Sequence, residues 1–202
     1  MDISWNIRLV TRIIVKTERD ADVAFEGLKG VKVIGCDTET SSLTSKTGRL
    51  YSIQLSDGEL QILVPISEGA NLFRLAELLN DGNVVKVFHN AKFDLAFLDA
   101  YEIRTNNIYC SMTAERILTK GANQSSSLAE TIYRYFGIDL DKGQRKAFVG
   151  KWDGVWTDEL IDYALSDVVY LPRLMKEQME WMTRLGLDDK YSEAILKIIS
   201  RE

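Results

Sequence analysis

The sequence predicts an α/β or α+β fold built on a mixed sheet, and three observations carry that reading. First, β-rich and helical segments alternate along 202 residues, 46% of them hydrophobic, which is enough for one domain with a real core. Second, the β-rich runs 49–55 and 59–65 are joined by Ser56-Asp57-Gly58, and Asp-Gly between such runs signals a hairpin. Third, an apolar, partly β-branched strand beginning at Val31 runs directly into two acids, Asp37 and Glu39.

In chain order, residues 1–16 carry apolar pairs such as Leu9-Val10 and Ile13-Ile14, expected as one or two strands feeding the sheet. Residues 20–28 read as a helix ended by Gly30. The strand 31–40 follows, then a polar loop over 41–48 and the hairpin. Residues 71–79 form an amphipathic helix closed by Asn80-Asp81-Gly82. A short buried strand at 84–88, parallel to the acid-bearing strand, leads into a helix over 91–100 with Asn90 placed to cap it. Short helices follow at 112–118 and 128–136, the second with Gly137 past its end. Residues 139–156 are irregular. A long helical pattern then runs from 157 to 185, and Pro172 inside it predicts a kink or break. A last helix starts near 188. No internal repeat or domain boundary is visible, so residues 1–202 are expected to form a single domain.

The net charge of −5 argues against a broadly basic nucleic-acid surface. It does not exclude such a substrate, because metal ions can neutralise acids where phosphate must sit. The two cysteines, Cys36 and Cys110, form no C-x-x-C and no disulfide framework, and read as small buried hydrophobes in a reducing compartment. No signal peptide and no run of about 18 apolar residues is present. The expectation is a soluble, cytoplasmic protein without a membrane partner.

Chemistry concentrates in three places. Asp37 and Glu39, at i and i+2, share one face of a strand. Buried charges at that position are costly unless they are paired or hold metal. Asp94 falls in the first turn of a helix after a buried strand, where the dipole favours an anion. Tyr163 and Asp167, four apart, share a helix face. Each motif alone recurs by chance. The order, spacing and placement of all five residues together are specific.

That combination resembles the DEDD superfamily of 3′-5′ exonucleases, in the subgroup whose last motif carries Tyr. The chain is similar to the ribonuclease D catalytic domain and to the proofreading domain of family A DNA polymerases. The likeness runs from about residue 13 to 185. It rests on Asp37-Thr38-Glu39-Thr40, Asn90-Ala91-Lys92-Phe93-Asp94, Asp141-Lys142-Gly143-Gln144, Trp152, and the Leu160, Tyr163, Ala164, Asp167, Val168 pattern. It implies a ribonuclease H-like (DnaQ-like) α/β fold, a mixed sheet flanked by helices. It implies two divalent cations, Mg²⁺ or Mn²⁺, and hard carboxylate oxygens suit both. Asp37, Glu39 and Asp167 would hold the ion that generates hydroxide. Asp37 would bridge to a second ion that Asp94 supports. Tyr163 would aim the attacking water, since a phenol with pKa near 10 is a poor base. The one histidine, His89, lies beside the second motif, so the sibling subgroup with a general-base His does not fit. A lone His also argues against zinc.

The resemblance further implies substrate contacts from Thr38, Leu43, Asn90, Phe93, Lys142 and Gln144. Leu43 would wedge against the terminal bases or anchor its loop. Phe93 would line the cleft or form a core stripe with Phe97. Lys142, Gln144, Arg145 and Lys146 would contact phosphate or form a solvated loop. Gln54 is expected to point toward the cleft. The expected function is a stand-alone metal-dependent exonuclease. It would take nucleotides from single-stranded 3′ ends and release 5′-monophosphates. The form of the first two motifs leans to DNA, with ribonuclease D-like RNA trimming as the alternative. No polymerase domain and none of the helical domains of ribonuclease D follow, so the reaction is better supported than either substrate. A subunit active only in an assembly, or a silent nucleic-acid or partner-binding module, is the remaining reading. All four acids and the Tyr argue against the silent one.

Overall fold

The acid-bearing strand lies inside a six-stranded mixed sheet. The computed structural model describes residues 11–140 and 152–200. The strands are β1 (Thr11–Ile14), β2 (Val33–Thr40), β3 (Leu50–Ser56), β4 (Leu60–Val64), β5 (Val85–Phe88) and β6 (Ile108–Cys110), in the order β1-β4-β3-β2-β5-β6. β2 and β4 flank β3 and pair with it antiparallel, while β1–β4, β2–β5 and β5–β6 are parallel. β3 alone therefore runs against the others, which bears out the ribonuclease H-like expectation. The hairpin turn forms where the sequence placed it. Asp57 Oδ1 accepts from the amides of Glu59 and Leu60 at 2.9 and 2.8 Å, and Gly58 takes φ +102°.

Helices cover both faces. They are α1 (Glu18–Gly27), α2 (Leu75–Asn80), α3 (Ala91–Ala100), α4 (Ser111–Leu118), α5 (Leu128–Phe136), α6 (Asp158–Val169), α7 (Leu171–Arg184) and α8 (Asp188–Ile199). On one face, Ala21, Ala24, Leu75, Leu79, Phe97 and Leu98 pack on Ile34, Cys36, Ile53 and Leu55. On the other, Ala114, Ile132, Val168, Leu171 and Leu174 pack with Val87. The start of α1 is fixed by reciprocal bonds. The Asp20 amide donates to Thr17 Oγ1 at 3.3 Å and the Thr17 amide to Asp20 Oδ2 at 2.8 Å.

The expected break at Pro172 separates α6 from α7, and Pro172 sits in the first turn of α7, where a missing N–H costs little. The last turn of α6 lies directly on β2. A Cβ added to Gly35 would fall 2.3 Å from the Val168 carbonyl oxygen and 3.0 Å from Leu171 Cβ. Glycine is what lets the helix and the strand come this close.

Three features differ from expectation. β6 is present but too short to have been anticipated. Its Cys110 amide donates to the Tyr191 hydroxyl of α8 at 2.8 Å. α2 begins at Leu75 rather than residue 71, because Asn71 Oδ1 accepts from the Phe73 amide at 3.2 Å and Phe73 takes φ 47°. Only residues 11–14 of the N-terminal segment form a described strand, and it pairs with β4 at the far side of the sheet. Both cysteines are buried and free, as expected. Among the described residues no helix is long and apolar enough to cross a membrane.

Candidate active site

The carboxyl end of β2 meets the last turns of α6. Alternation along β2 puts Gly35, Asp37 and Glu39 on the face that α6 covers, and the close approach at Gly35 brings Asp167 over them. Carboxylate oxygens of Asp37, Glu39 and Asp167 lie within 4.8 Å of one another, and all three residues are half-buried. Such a trio of hard oxygen donors fits a divalent cation.

Asp94 comes from α3 on the opposite face and is 1% exposed. Thr38, which points away from Asp37 along the strand, donates its hydroxyl to Asp94 Oδ1 at 2.7 Å. The strand thus carries two acids on one face and the anchor of a further acid on the other. Burial pushes the Asp94 carboxyl up to about 7, against the pull of the Thr38 hydrogen bond. Asp37 is pushed well above the usual carboxylate range, first by burial and then by the charges of Asp94, Asp167 and Glu39. Four acids in one place repel one another, and a cation offsets that repulsion.

Tyr163, one turn before Asp167 on α6, packs half-buried with Tyr51, Leu160, Trp152 and Trp156. The ring centroids of Trp152 lie 4.5 Å from Tyr51 and 5.0 Å from Trp156, both edge-on. Aromatic side chains therefore pack around Tyr163, which lies one turn from Asp167 on α6.

His89 is satisfied without metal. Nε2 faces the Ser126 carbonyl at 2.9 Å, so it must donate, and Nδ1 lies 2.9 Å from Ser111 Oγ, whose hydroxyl also faces the Phe88 carbonyl at 3.1 Å. Burial lowers its pKa to about 4, keeping the ring neutral. Phe93 packs on Phe97 at 5.2 Å between centroids and against the core, so the core stripe is the better description. Leu43 is 86% exposed on the loop after β2, open to a ligand rather than anchoring its loop.

One correction concerns the cap at Asn90. Asn90 precedes α3 but makes no side-chain capping bond, because it adopts the left-handed region at φ 79°. Thr38 is 5% exposed with its hydroxyl engaged by Asp94, so this side chain positions an acid. Gln54 is fully buried and pairs with Asp37 across the β2–β3 ladder, on the acids' face of the sheet. Lys142, Gln144, Arg145 and Lys146 lie outside the described residues. Two features were missed by sequence reasoning: the Thr38–Asp94 bond and the buried serines Ser52 and Ser56 that flank Gln54 on β3. Only the second left a trace, as polar residues at every other position of an otherwise apolar strand.

Comparison with known proteins agrees with this geometry. A family model described as 3′-5′ exonuclease matches residues 12–181. Ribonuclease D of Bartonella henselae is 28% identical over 174 residues, covering 84% of this chain and 42% of the relative. The chain thus spans under half the length of that relative. Brucella melitensis NrnC has a TM-score of 0.78 at 25% identity, over 95% of this chain and 89% of the other. The same protein has been solved with bound Mg²⁺ and bound to pGG. Escherichia coli RNase D, an exoribonuclease in structured RNA processing, superposes with a TM-score of 0.79 at 22% identity over 93% of this chain and 50% of that one. The chain belongs to the 3′-5′ exonuclease family.

Proposed function

We propose that the chain is a metal-dependent 3′-5′ exonuclease that trims single-stranded RNA from its 3′ end and releases nucleoside 5′-monophosphates. The observation that carries this reading is the convergence of Asp37, Glu39 and Asp167 within 4.8 Å, with Asp94 buried behind them. Asp37, Glu39 and Asp167 would hold one Mg²⁺ or Mn²⁺, and Asp37 with Asp94 a second. Such a pair of ions supplies a nucleophile at neutral pH and stabilises the leaving oxygen.

This chain's own residues do the remainder. Tyr163, held by its aromatic neighbours, orients the attacking water. The water oxygen bonds to phosphorus as the bond from phosphorus to the 3′ oxygen of the preceding nucleotide breaks. That oxygen leaves with a proton as the new 3′ hydroxyl. Leu43 and Asn90, both exposed beside the acids' strand and helix, would meet the terminal nucleotide. Stacking and backbone contacts make such a site tolerant of sequence.

The ribonuclease D relatives favour RNA. DNA is the second reading, favoured by the form of Asp37-Thr38-Glu39-Thr40 and Asn90-Ala91-Lys92-Phe93-Asp94. The test is a time course with 5′-labelled RNA and DNA of matched sequence, plus the dinucleotide pGG, in Mg²⁺, Mn²⁺ or EDTA. A ladder shortening from the 3′ end is expected, faster on RNA. EDTA should abolish it, and Asp37→Ala should cost more than the ~100-fold typical of losing an outer partner. Faster cleavage of DNA would move the assignment to the second reading. No cleavage of any substrate by folded protein with metal would overturn the stand-alone enzyme reading, leaving a binding module or a subunit active only in an assembly.

A further inference from the structure

We propose that Gln54 is a positioning residue for the cation site. Its amide oxygen would accept a hydrogen bond from a hydration water of the ion held by Asp37, Glu39 and Asp167. This rests on the metal-site reading above and names a residue on another strand.

The register places it there. Asp37 pairs with Gln54 and Glu39 with Ser52 across the antiparallel β2–β3 ladder. Directly opposed residues share a face, with Cβ atoms about 4.5–5.5 Å apart. Gln54 Nε2 donates to Ser52 Oγ at 2.5 Å. That bond draws the amide along β3 toward the Glu39 rung, on the face that Asp37 and Glu39 share.

The amide is only half satisfied. Gln54 is 0% exposed, and its Oε1 is buried with no hydrogen-bond partner. A buried acceptor left unmade is costly, and native structures seldom keep one without a reason. Carboxylates that hold a cation are ionised and have no proton to offer it. A water polarised by a dication is a strong donor, and Mg²⁺ ordinarily keeps several.

The surroundings agree. Ser52, Gln54 and Ser56 occupy three successive positions on this face of β3, all fully buried, whereas Ile53 and Leu55 on the opposite face are apolar. The three polar residues face Gly35, Asp37 and Glu39 in the ladder. Glutamine rather than glutamate adds an acceptor without adding another negative charge to Asp37, Glu39, Asp94 and Asp167.

The experiment titrates metal-free protein with Mn²⁺ and follows the free ion by electron paramagnetic resonance, with no substrate present. Wild type, Asp37→Ala, Gln54→Met and Gln54→Glu are compared, with circular dichroism to confirm folding. Gln54→Met should bind about 10–100-fold more weakly than wild type, the usual effect of losing an outer-sphere partner. Gln54→Glu keeps an acceptor oxygen and should stay within a few-fold of wild type (~3-fold). Equal affinity of wild type and Gln54→Met would overturn this inference alone. A loss in Gln54→Glu as large as in Gln54→Met would reduce the residue to packing and overturn it as well. Should Gln54→Met not fold, Ser52→Ala, which releases the amide from its anchor, should weaken binding by roughly 10-fold. Unchanged binding there would overturn the inference. Wild type that binds no Mn²⁺ would overturn the metal-site reading and this inference with it.

Discussion

Asp94 sits where charge is least welcome, 1% exposed, and its carboxyl is pushed up to about 7 by burial. In the unfolded chain an aspartate titrates near 3.9. Between those values the native state keeps a proton that the unfolded state has released. Stability of the metal-free protein therefore falls as pH rises from about 4 through about 7. Asp37, also pushed up, acts in the same direction. His89 acts in the opposite one, because its ring is neutral in the fold down to about 4 and protonates near 6.5 when unfolded. Asp94→Asn isolates the first effect. In EDTA, wild type should lose on the order of a few kcal/mol more than Asp94→Asn between pH 5 and 7.5, read by urea denaturation. Equal slopes would remove Asp94 from this account. At this scale the acids were legible because i, i+2 in a strand and i, i+4 in a helix are fixed by local geometry. The Thr38–Asp94 bond was not, because it joins residues 56 positions apart.

The contact between β2 and the α6–α7 break sets how close Asp167 comes to Asp37. A methyl group at position 35 would meet the Val168 carbonyl at 2.3 Å, and a backbone carbonyl cannot swing aside as a side chain can. Gly35→Ala should cost about 1–3 kcal/mol of stability, the usual range for overpacking. It should also reduce exonuclease activity more than a comparably destabilised core variant, since the helix it displaces carries Asp167. Gly82→Ala, with nothing within 4 Å of its added Cβ, should stay within about 0.5 kcal/mol of wild type. A Gly35→Ala protein as stable and active as Gly82→Ala would refute the close-approach account. Pro172 announced the break in the sequence, and α3, α5 and α8 followed their periodicity. β6 escaped notice because three residues carry no readable alternation, and only pairing with β5 makes them a strand. Asn90 was read as an ordinary cap, but the turn from β5 into α3 needs the left-handed conformation that asparagine tolerates.

Across the whole molecule, acids that repel one another in the folded state make metal binding and folding one equilibrium. An ion that binds only the native site adds about 2.7 kcal/mol of stability at 100 times its Kd. For a chain of this size that corresponds to roughly 5–10 °C in Tm. Scanning calorimetry should show that rise with Mn²⁺ for wild type and little for Asp37→Ala. An equal rise in both would place the bound ion elsewhere. The topology was legible in outline, from the hairpin and the strand–helix alternation. The path of β1 to the far side of the sheet was not, because parallel pairing leaves no turn signal in the sequence.

The Tyr191 hydroxyl on the Cys110 amide has a last consequence. β6 ends the sheet among the described residues, and an outer strand offers unpaired amides as a template for a foreign strand. By occupying that amide from α8, Tyr191 closes the rung where a second chain would begin to zip on. The short strand and its aromatic stopper together guard this flank against edge-to-edge aggregation.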